Sequence, residues 1–535
     1  MAEKKENNDK WWKKGVIYQI YPRSFKDGNE DGVGDLPGIT SKLEYLQWLG
    51  IDAIWLSPIY PSPMIDFGYD VSDFTNVHPL FGTLDDFDRL VAKAHALGLK
   101  VILDYVPNHS SDQHLWFLES RQSKESPKRD WYIWRPPAED GGPPNNWLAI
   151  TGGSAWSFDE VTGEYYLHSF MPCQPDINWR NPETREAMYD VLRFWLDRGV
   201  DGFRIDMITF LMKDKLFRDD PPNPSYDPSK ARYQYEKLLH IHSKVEQGLY
   251  QTLAGISKVI HEYPDRVSIG EVDYFLELDE LNRYYGEGDV LDLPGNFRLV
   301  YLPWEAPVIK EFVRDYEKHL PEFAWPNWVL SNHDRVRVAS RLGQDQARVA
   351  ALLLLTLRGT PFIYQGDELG MENVEIPPEK VQDPWERTEP GKGRDGERTP
   401  VQWSDEPNAG FSTIDPWLPV SNDYQKVNVK VEREDPRSML TLHRKLLTLR
   451  RESPALSIGS YEEIPAMPEV CFGYKRSYNG ETFVVLANFS SEELTLTTDV
   501  FKGGTLVLST FLDREEVVGG ENLTLKPNEG CLVKI

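Results

Sequence analysis

Short apolar runs alternate with amphipathic stretches over roughly the first 460 residues. The runs at 15–21, 52–57, 100–106, 202–206, 267–271, 289–293, 328–330 and 361–364 have no regular polar face, so they read as strands buried on both sides. The stretches between them carry helix signals. Thr83 and Asp86 form a capping-box pattern ahead of Leu90, Ala94 and Leu97. Asn181 and Pro182 read as a cap and first helical residue, Met188, Leu192, Trp195 and Leu196 as the apolar stripe, and Gly199 as the stop. Leu249, Leu253, Ile256 and Ile260 recur at helical spacing. Eight strand–helix repeats predict an α/β fold, a (β/α)8 TIM barrel. An open doubly wound sheet is the alternative, and the absence of a Gly-rich phosphate loop after any early strand counts against it.

Two stretches break the rhythm. Residues 110–180 are rich in Trp, Pro and Gly and read as a small inserted domain after the third strand. Residues 371–426 form a second, Pro- and Glu-rich excursion after the last strand. The barrel then occupies 1–109 and 181–454, ending with a helix near 439–450. Beyond it the period changes to two, at 482–488, 505–509, 523–526 and 531–535, so 455–535 is expected to be an antiparallel β-sandwich domain.

Composition narrows the partners. The 535 residues are 40% hydrophobic and 12% aromatic, which is globular composition with room for several domains. Asp and Glu number 85 against 59 Lys and Arg, a formal charge of −26. A field of that sign repels phosphate backbones and argues against nucleic acid as a partner. Cys173, Cys471 and Cys531 are too few to staple this chain; they fit free thiols in a reducing compartment, and a cytoplasmic location is expected. Residues 1–10 hold no apolar signal core, and no run approaches the roughly 20 apolar residues of a bilayer span, so no membrane partner is expected.

Charged residues at the strand ends carry the chemistry. Asp104, Asp206, Glu271 and Asp334 all fall at or just past the C-terminal ends of apolar runs, where the loops of a parallel barrel form one mouth. Alternation along 202–206 turns Phe203 and Ile205 outward and Arg204 and Asp206 inward together, as a mutually neutralising pair. Several carboxylates in one mouth suit cleavage of an acetal, which needs an acid for the leaving oxygen and an anion facing an oxocarbenium-like centre. Asp206, beside Arg204, is expected to be ionised and to act as nucleophile. Glu271 has no cation beside it in sequence and is expected to keep its proton as general acid. The separation of the two groups, which decides retention or inversion, stays open at this level.

These residues lie in runs that resemble glycoside hydrolase family 13, the α-amylase family: Asp104-Tyr105-Val106-Pro107-Asn108-His109, Gly202-Phe203-Arg204-Ile205-Asp206, Gly270-Glu271-Val272 and Ser331-Asn332-His333-Asp334, in that order. Gln174-Pro175-Asp176-Ile177-Asn178 resembles the signature of the branch that holds oligo-1,6-glucosidases, α-glucosidases and sucrose isomerases. The resemblance implies Asp206 as nucleophile, Glu271 as acid/base and Asp334 as the third carboxylate, with a retaining outcome. It implies that Arg204, His109 and His333 hydrogen-bond nucleophile or sugar, that Asp66 pairs with Arg398 to grip a terminal glucose, that Tyr69 stacks on the ring and that Phe170 forms an aromatic wall. The implied activity is exo-acting hydrolysis of short α-glucosides, α-1,4 or α-1,6, with transglucosylation or sucrose isomerisation on the same scaffold as the alternative.

The loop Asp27-Gly28-Asn29-Glu30-Asp31-Gly32-Val33-Gly34-Asp35 places oxygen donors at alternate positions, like the start of an EF-hand loop, but Gly38 stands where that loop has its closing Glu. The resemblance implies a structural Ca2+ held by Asp27, Asn29, Asp31, the Val33 carbonyl and Asp35. Two positions depart from the resembling family. After the nucleophile, Val accompanies α-1,6 and Ala or Thr α-1,4 preference; Met207 matches neither and is expected to crowd the aglycone side. Thr151 stands where many relatives carry Phe.

Overall fold

The computed structural model describes residues 10–231, 233–273, 276–518 and 520–535; most of the polar N-terminal stretch lies outside the described residues. Eight barrel strands form: β1 (Ile17–Ile20), β2 (Ala53–Leu56), β3 (Lys100–Tyr105), β4 (Gly202–Ile205), β5 (Val267–Gly270), β6 (Leu293–Pro294, sharing only Leu293 with the run expected at 289–293), β7 (Asn327–Val329) and β8 (Thr360–Tyr364). They run in the order β7-β8-β1-β2-β3-β4-β5-β6, all neighbours parallel. The ring closes between β6 and β7 through a side chain. Asn327 Nδ2 donates to the Pro294 carbonyl at 2.6 Å, and Asn296 N donates to Asn327 Oδ1 at 2.9 Å.

Inside the barrel, Ile17, Trp55, Ile102, Val267, Ile269, Leu293, Val329 and Phe362 make one apolar plug, with Trp12 packed into it. Phe203 and Ile205 instead join the outer core shared with the helices, which bears out the expected alternation on β4. Helix Leu84–Ala96 starts at the Thr83–Asp86 capping box, and helix Pro182–Asp197 starts where Asn181 accepts from the amides of Glu183 and Thr184. The segment after β3 carries a three-stranded sheet of Trp134–Arg135, Glu164–Leu167 and Trp156–Asp159. The C-terminal region is an antiparallel six-stranded sheet facing a two-stranded one, Leu494–Thr497 with Asn522–Leu525, over a common apolar core. No helix among the described residues is long and apolar enough to cross a membrane.

Candidate active site

Register sets the catalytic centre. Ile205 lies opposite Gly270 across β4 and β5, so the next residues, Asp206 and Glu271, emerge side by side at the mouth. Glu271 N donates to the Ile205 carbonyl at 2.8 Å and Asp206 N to the Tyr105 carbonyl at 2.8 Å, which pins both backbones at the rim. One register step on the other side, Arg204 lies opposite Asp104. Its guanidinium stands over the Trp55 ring at 5.1 Å and gathers three acids. Nη1 reaches Asp104 at 2.8 Å and Asp206 at 2.7 Å, while Nη2 contacts Glu271.

This corrects two expectations. Glu271 does have a cation: Arg204, aligned beside it from the neighbouring strand rather than from its own sequence vicinity. Nor does Arg204 simply hold Asp206 ionised, because one cation serves three buried acids. Burial pushes the Asp206 carboxyl well up, Arg204 pulls it down, and Glu271, hydrogen-bonded to it, and Asp104 push it up again. Asp104 is raised to about 6, by burial first, against the pull of Arg204. Asp206 therefore sits with a raised carboxyl beside Glu271, on the one guanidinium both of them share. Met207, at a left-handed φ of 38°, donates its backbone N–H to Glu271 Oε2 at 3.2 Å.

A second guanidinium closes the opposite wall. Arg394 Nη2 meets Asp66 Oδ1 at 3.1 Å, Nη1 meets Asp334 Oδ1 at 2.9 Å, and Nε meets Asp383 at 2.8 Å. Arg398, expected to grip Asp66, donates to Asp334 Oδ1 at 2.7 Å and to the His333 carbonyl at 2.7 Å instead. The Asp66 partner is thus Arg394, four residues earlier in the same Gly-rich loop, and sequence reasoning chose the wrong one of two arginines. Despite burial, which acts the other way, His333, Arg394 and Arg398 hold Asp334 well below the usual carboxylate range. Asp66, buried and near Asp70, rises to about 6 although Arg394 opposes the rise.

The two histidines are neutral spacers within this ring. Burial lowers His109 to about 4 and His333 to about 3. Gln19 Nε2 donates to His333 Nδ1 at 2.7 Å, so the proton sits on Nε2, facing the Tyr69 hydroxyl at 2.8 Å; Tyr69 in turn donates to Asp104 at 3.0 Å. The Tyr69 ring also stacks on His333, 4° from parallel. Gln174 reaches both Asp66 Oδ2 at 3.1 Å and His109 Nε2 at 3.2 Å, which gives the signature segment a positioning task the sequence did not reveal. Of these groups, Asp66, Tyr69, His109, Asp206, Glu271, Asp334 and Arg394 line one cavity of about 610 Å3, together with Phe170, Met207, Tyr233, Tyr235 and Trp385. Phe170 lies 5.1 Å from the His109 ring and so forms part of the wall, as expected. Thr151 turns away to donate to the Phe170 carbonyl at 3.3 Å, and Ile150 lines the cavity in its place.

The five residues expected to hold Ca2+ share one turn. Asp27 accepts from the amides of Asn29, Glu30 and Gly32 and from Ser412 Oγ, and Asp31 accepts from Val33 N and Asn29 Nδ2. Asp35 caps helix Leu36–Ser41 through Gly38 N. The donors are hard oxygens suited to Ca2+. Among the described residues, however, no three acidic, His or Cys side chains are grouped to hold a metal ion. The turn is already satisfied by its own N–H groups, and no catalytic step runs through it.

A parallel barrel with paired carboxyls on adjacent strands, a third carboxylate opposite and a sugar-sized pocket defines a glycoside hydrolase. Residues 19–459 match the family described as the α-amylase catalytic domain. A probable α-glucosidase of Rhizobium meliloti (strain 1021) is 44% identical over 91% of this chain and 90% of its own length. The oligo-1,6-glucosidase of Halalkalibacterium halodurans is 40% identical over 97% of this chain and 98% of its own length. Among solved structures, the α-glucosyl transfer enzyme XgtA superposes with a TM-score of 0.92 at 41% identity, covering 98% of this chain and 99% of its own. A trehalulose synthase MutB variant reaches 0.90 at 37% identity, covering 98% of this chain and 100% of its own. The chain belongs to the α-amylase family, in its oligo-1,6-glucosidase and α-glucosidase branch.

Proposed function

We infer that the protein is an exo-acting α-glucosidase that removes the terminal glucose of short α-glucosides through a covalent glucosyl-enzyme. The observation that carries this reading is the single Arg204 guanidinium joined to both Asp206 and Glu271, with the two carboxyls hydrogen-bonded to each other. Groups so close fit the gap of about 5–5.5 Å used for retention rather than the roughly 6.5–9.5 Å that leaves room for a water. Asp206 attacks the anomeric carbon while Glu271 gives its proton to the leaving oxygen, and Glu271 then takes a proton from the incoming water. Asp334, kept anionic, and Asp66, Arg394 and His109 supply partners for the hydroxyls of one terminal sugar. The Asp66–Arg394 bridge walls off that end, which supports exo rather than endo action. The test is the anomer released first from a nitrophenyl α-glucoside, whose only sugar product is the transferred glucose, read by NMR: α-glucose supports the reading, and β-glucose overturns it.

Glucosyl transfer or sucrose isomerisation is the second reading, favoured by the two structural relatives whose names are a transfer enzyme and a trehalulose synthase. A product profile from maltose, isomaltose, sucrose and trehalose separates it from hydrolysis. A Ca2+ ion in the Asp27–Asp35 turn is proposed on donor chemistry alone.

A further inference from the structure

A second cavity, of about 590 Å3, shares no lining residue with the catalytic one. It lies between the inserted domain and the segment after β4, and its lining is basic in a chain whose formal charge is −26. Part of that lining is already neutralised. Arg129 and Lys124 hold Glu164 at 2.6 and 3.3 Å, and buried Lys213 meets Asp176 at 2.6 Å. Asp130 accepts from the side-chain amides of Asn178 and Asn181, each at 3.1 Å.

Three cations differ. Among the described residues, no acid lies within ion-pair reach of Arg135, Arg180 or Lys215. The Arg135 side chain donates only to the Trp134 carbonyl, at 2.9 Å, and the Arg180 side chain only to the Lys213 carbonyl, at 2.7 Å. A guanidinium has five N–H donors, so most of each fork is left over. Both arginines are half-buried, and burial lowers both, against the pull of acids that do not touch them. The Arg135 guanidinium carbon lies 3.7 Å from the centre of the Phe217 ring, and Phe217 takes a left-handed φ of 53°, uncommon for a bulky residue. A ring beneath the guanidinium fixes its plane and leaves its edge free to bind.

A half-buried cation without a counter-ion is unfavourable, and an oxyanion in the cavity corrects it for all three groups. A carboxylate offers two oxygens in one plane. A phosphate group offers oxygens in several directions, and guanidinium forks match them in pairs. The cavity is larger than a bare phosphate, and Ile133, Leu211 and Met212 give it an apolar wall for an organic part. We propose that this second cavity is a binding site for a phosphate group, free or esterified, held by Arg135, Arg180 and Lys215 apart from the catalytic centre.

Calorimetric titration of the full chain at about 0.15 M salt, with inorganic phosphate and with glycerol 3-phosphate, tests this. The second probe has no sugar ring to enter the catalytic cavity. At least one probe is expected to bind with a Kd below about 1 mM. Arg135→Ala and Arg180→Ala are each expected to weaken it about tenfold and Lys215→Ala about threefold, with Arg180→Lys recovering only part of the loss because the fork is gone. Tighter binding of glycerol 3-phosphate supports the site with an ester as its ligand; tighter binding of inorganic phosphate supports it with the free ion. A Kd above about 1 mM for both probes overturns the proposal. Binding unchanged in the alanine variants overturns the placement. If circular dichroism shows an arginine variant unfolded, Lys215→Ala, at an exposed side chain, decides the placement alone.

Discussion

Arg204 and Arg394 are both buried, and each binds three carboxylates, yet the two clusters differ in charge. Arg204 alone faces Asp104, Asp206 and Glu271. Arg394 faces Asp66, Asp334 and Asp383, and Arg398 adds a second cation on Asp334. In the first cluster burial prevails: Asp104 rises to about 6, and Asp206 goes up as well. In the second the arginines prevail over burial at Asp334 and Asp383, which are both held down, while Asp66 still rises to about 6. Two arginines on Asp334 fix its charge, whereas Asp104 and Asp206 share one cation and are both pushed up by burial. One cluster is built for acid–base chemistry and the other for holding a sugar.

The sharpest way to break this contrast is in the first cluster. Asp206→Asn and Glu271→Gln are each expected to lower kcat on maltose by roughly 10⁴-fold, within the range for groups that act as a catalytic unit. Glu271→Gln should lose less on a nitrophenyl α-glucoside, whose leaving group needs little protonation. Equal losses on both substrates contradict the acid role. In the second cluster, Arg394→Ala leaves three acids to one remaining arginine. A drop of about 10²-fold in kcat/KM for maltose is expected, with a fall in stability on the order of 3 kcal/mol from the broken buried pairs, read by urea titration. Arg398→Ala should spare the Asp66 grip, and its KM for maltose should change less than that of Arg394→Ala.

The barrel was legible because strands buried on both faces show as apolar runs, and even the short β6 fell at the edge of an expected run. Asp206, Glu271 and Asp334 were legible because charges interrupt or close such runs. What failed was contact across elements. The cation serving Glu271 sits one strand away, and only the register of β4 against β5 reveals it. Arg394 and Arg398 lie four apart in a non-periodic loop, where spacing does not tell which one reaches Asp66. Part of the cavity wall was also hidden. Tyr233, Tyr235 and Leu276 come from irregular segments after β4 and β5, and Trp385 comes from the late excursion, none with a repeat to read.

Glu432 extends the comparison to an acid whose carboxylate bonds to a backbone amide, Leu440 N at 3.0 Å. Burial pushes it up to about 8, against the pull of that bond. Between the ordinary carboxylate range and pH 8, the unfolded chain releases this proton while the folded one keeps it, so stability falls as pH rises through that window. Glu432→Gln is expected to raise Tm by a few degrees at pH 8 and hardly at all at pH 4, by calorimetry. The smallest effect belongs to the Asp27–Asp35 turn, which its own amides already satisfy. A chelator is expected to lower Tm by about a degree or two if Ca2+ resides there. No shift on chelation or on adding Ca2+ removes the metal from the account.

The central claim is that Asp206 forms the covalent bond while Glu271 moves the proton. Incubating the Glu271→Gln variant with a fluorinated glucosyl donor and sequencing the labelled peptide by mass spectrometry tests it most directly. The account predicts a glucosyl ester on the peptide carrying Asp206, absent in Asp206→Asn. A label on any other carboxylate, or none while glucose is still released, contradicts it.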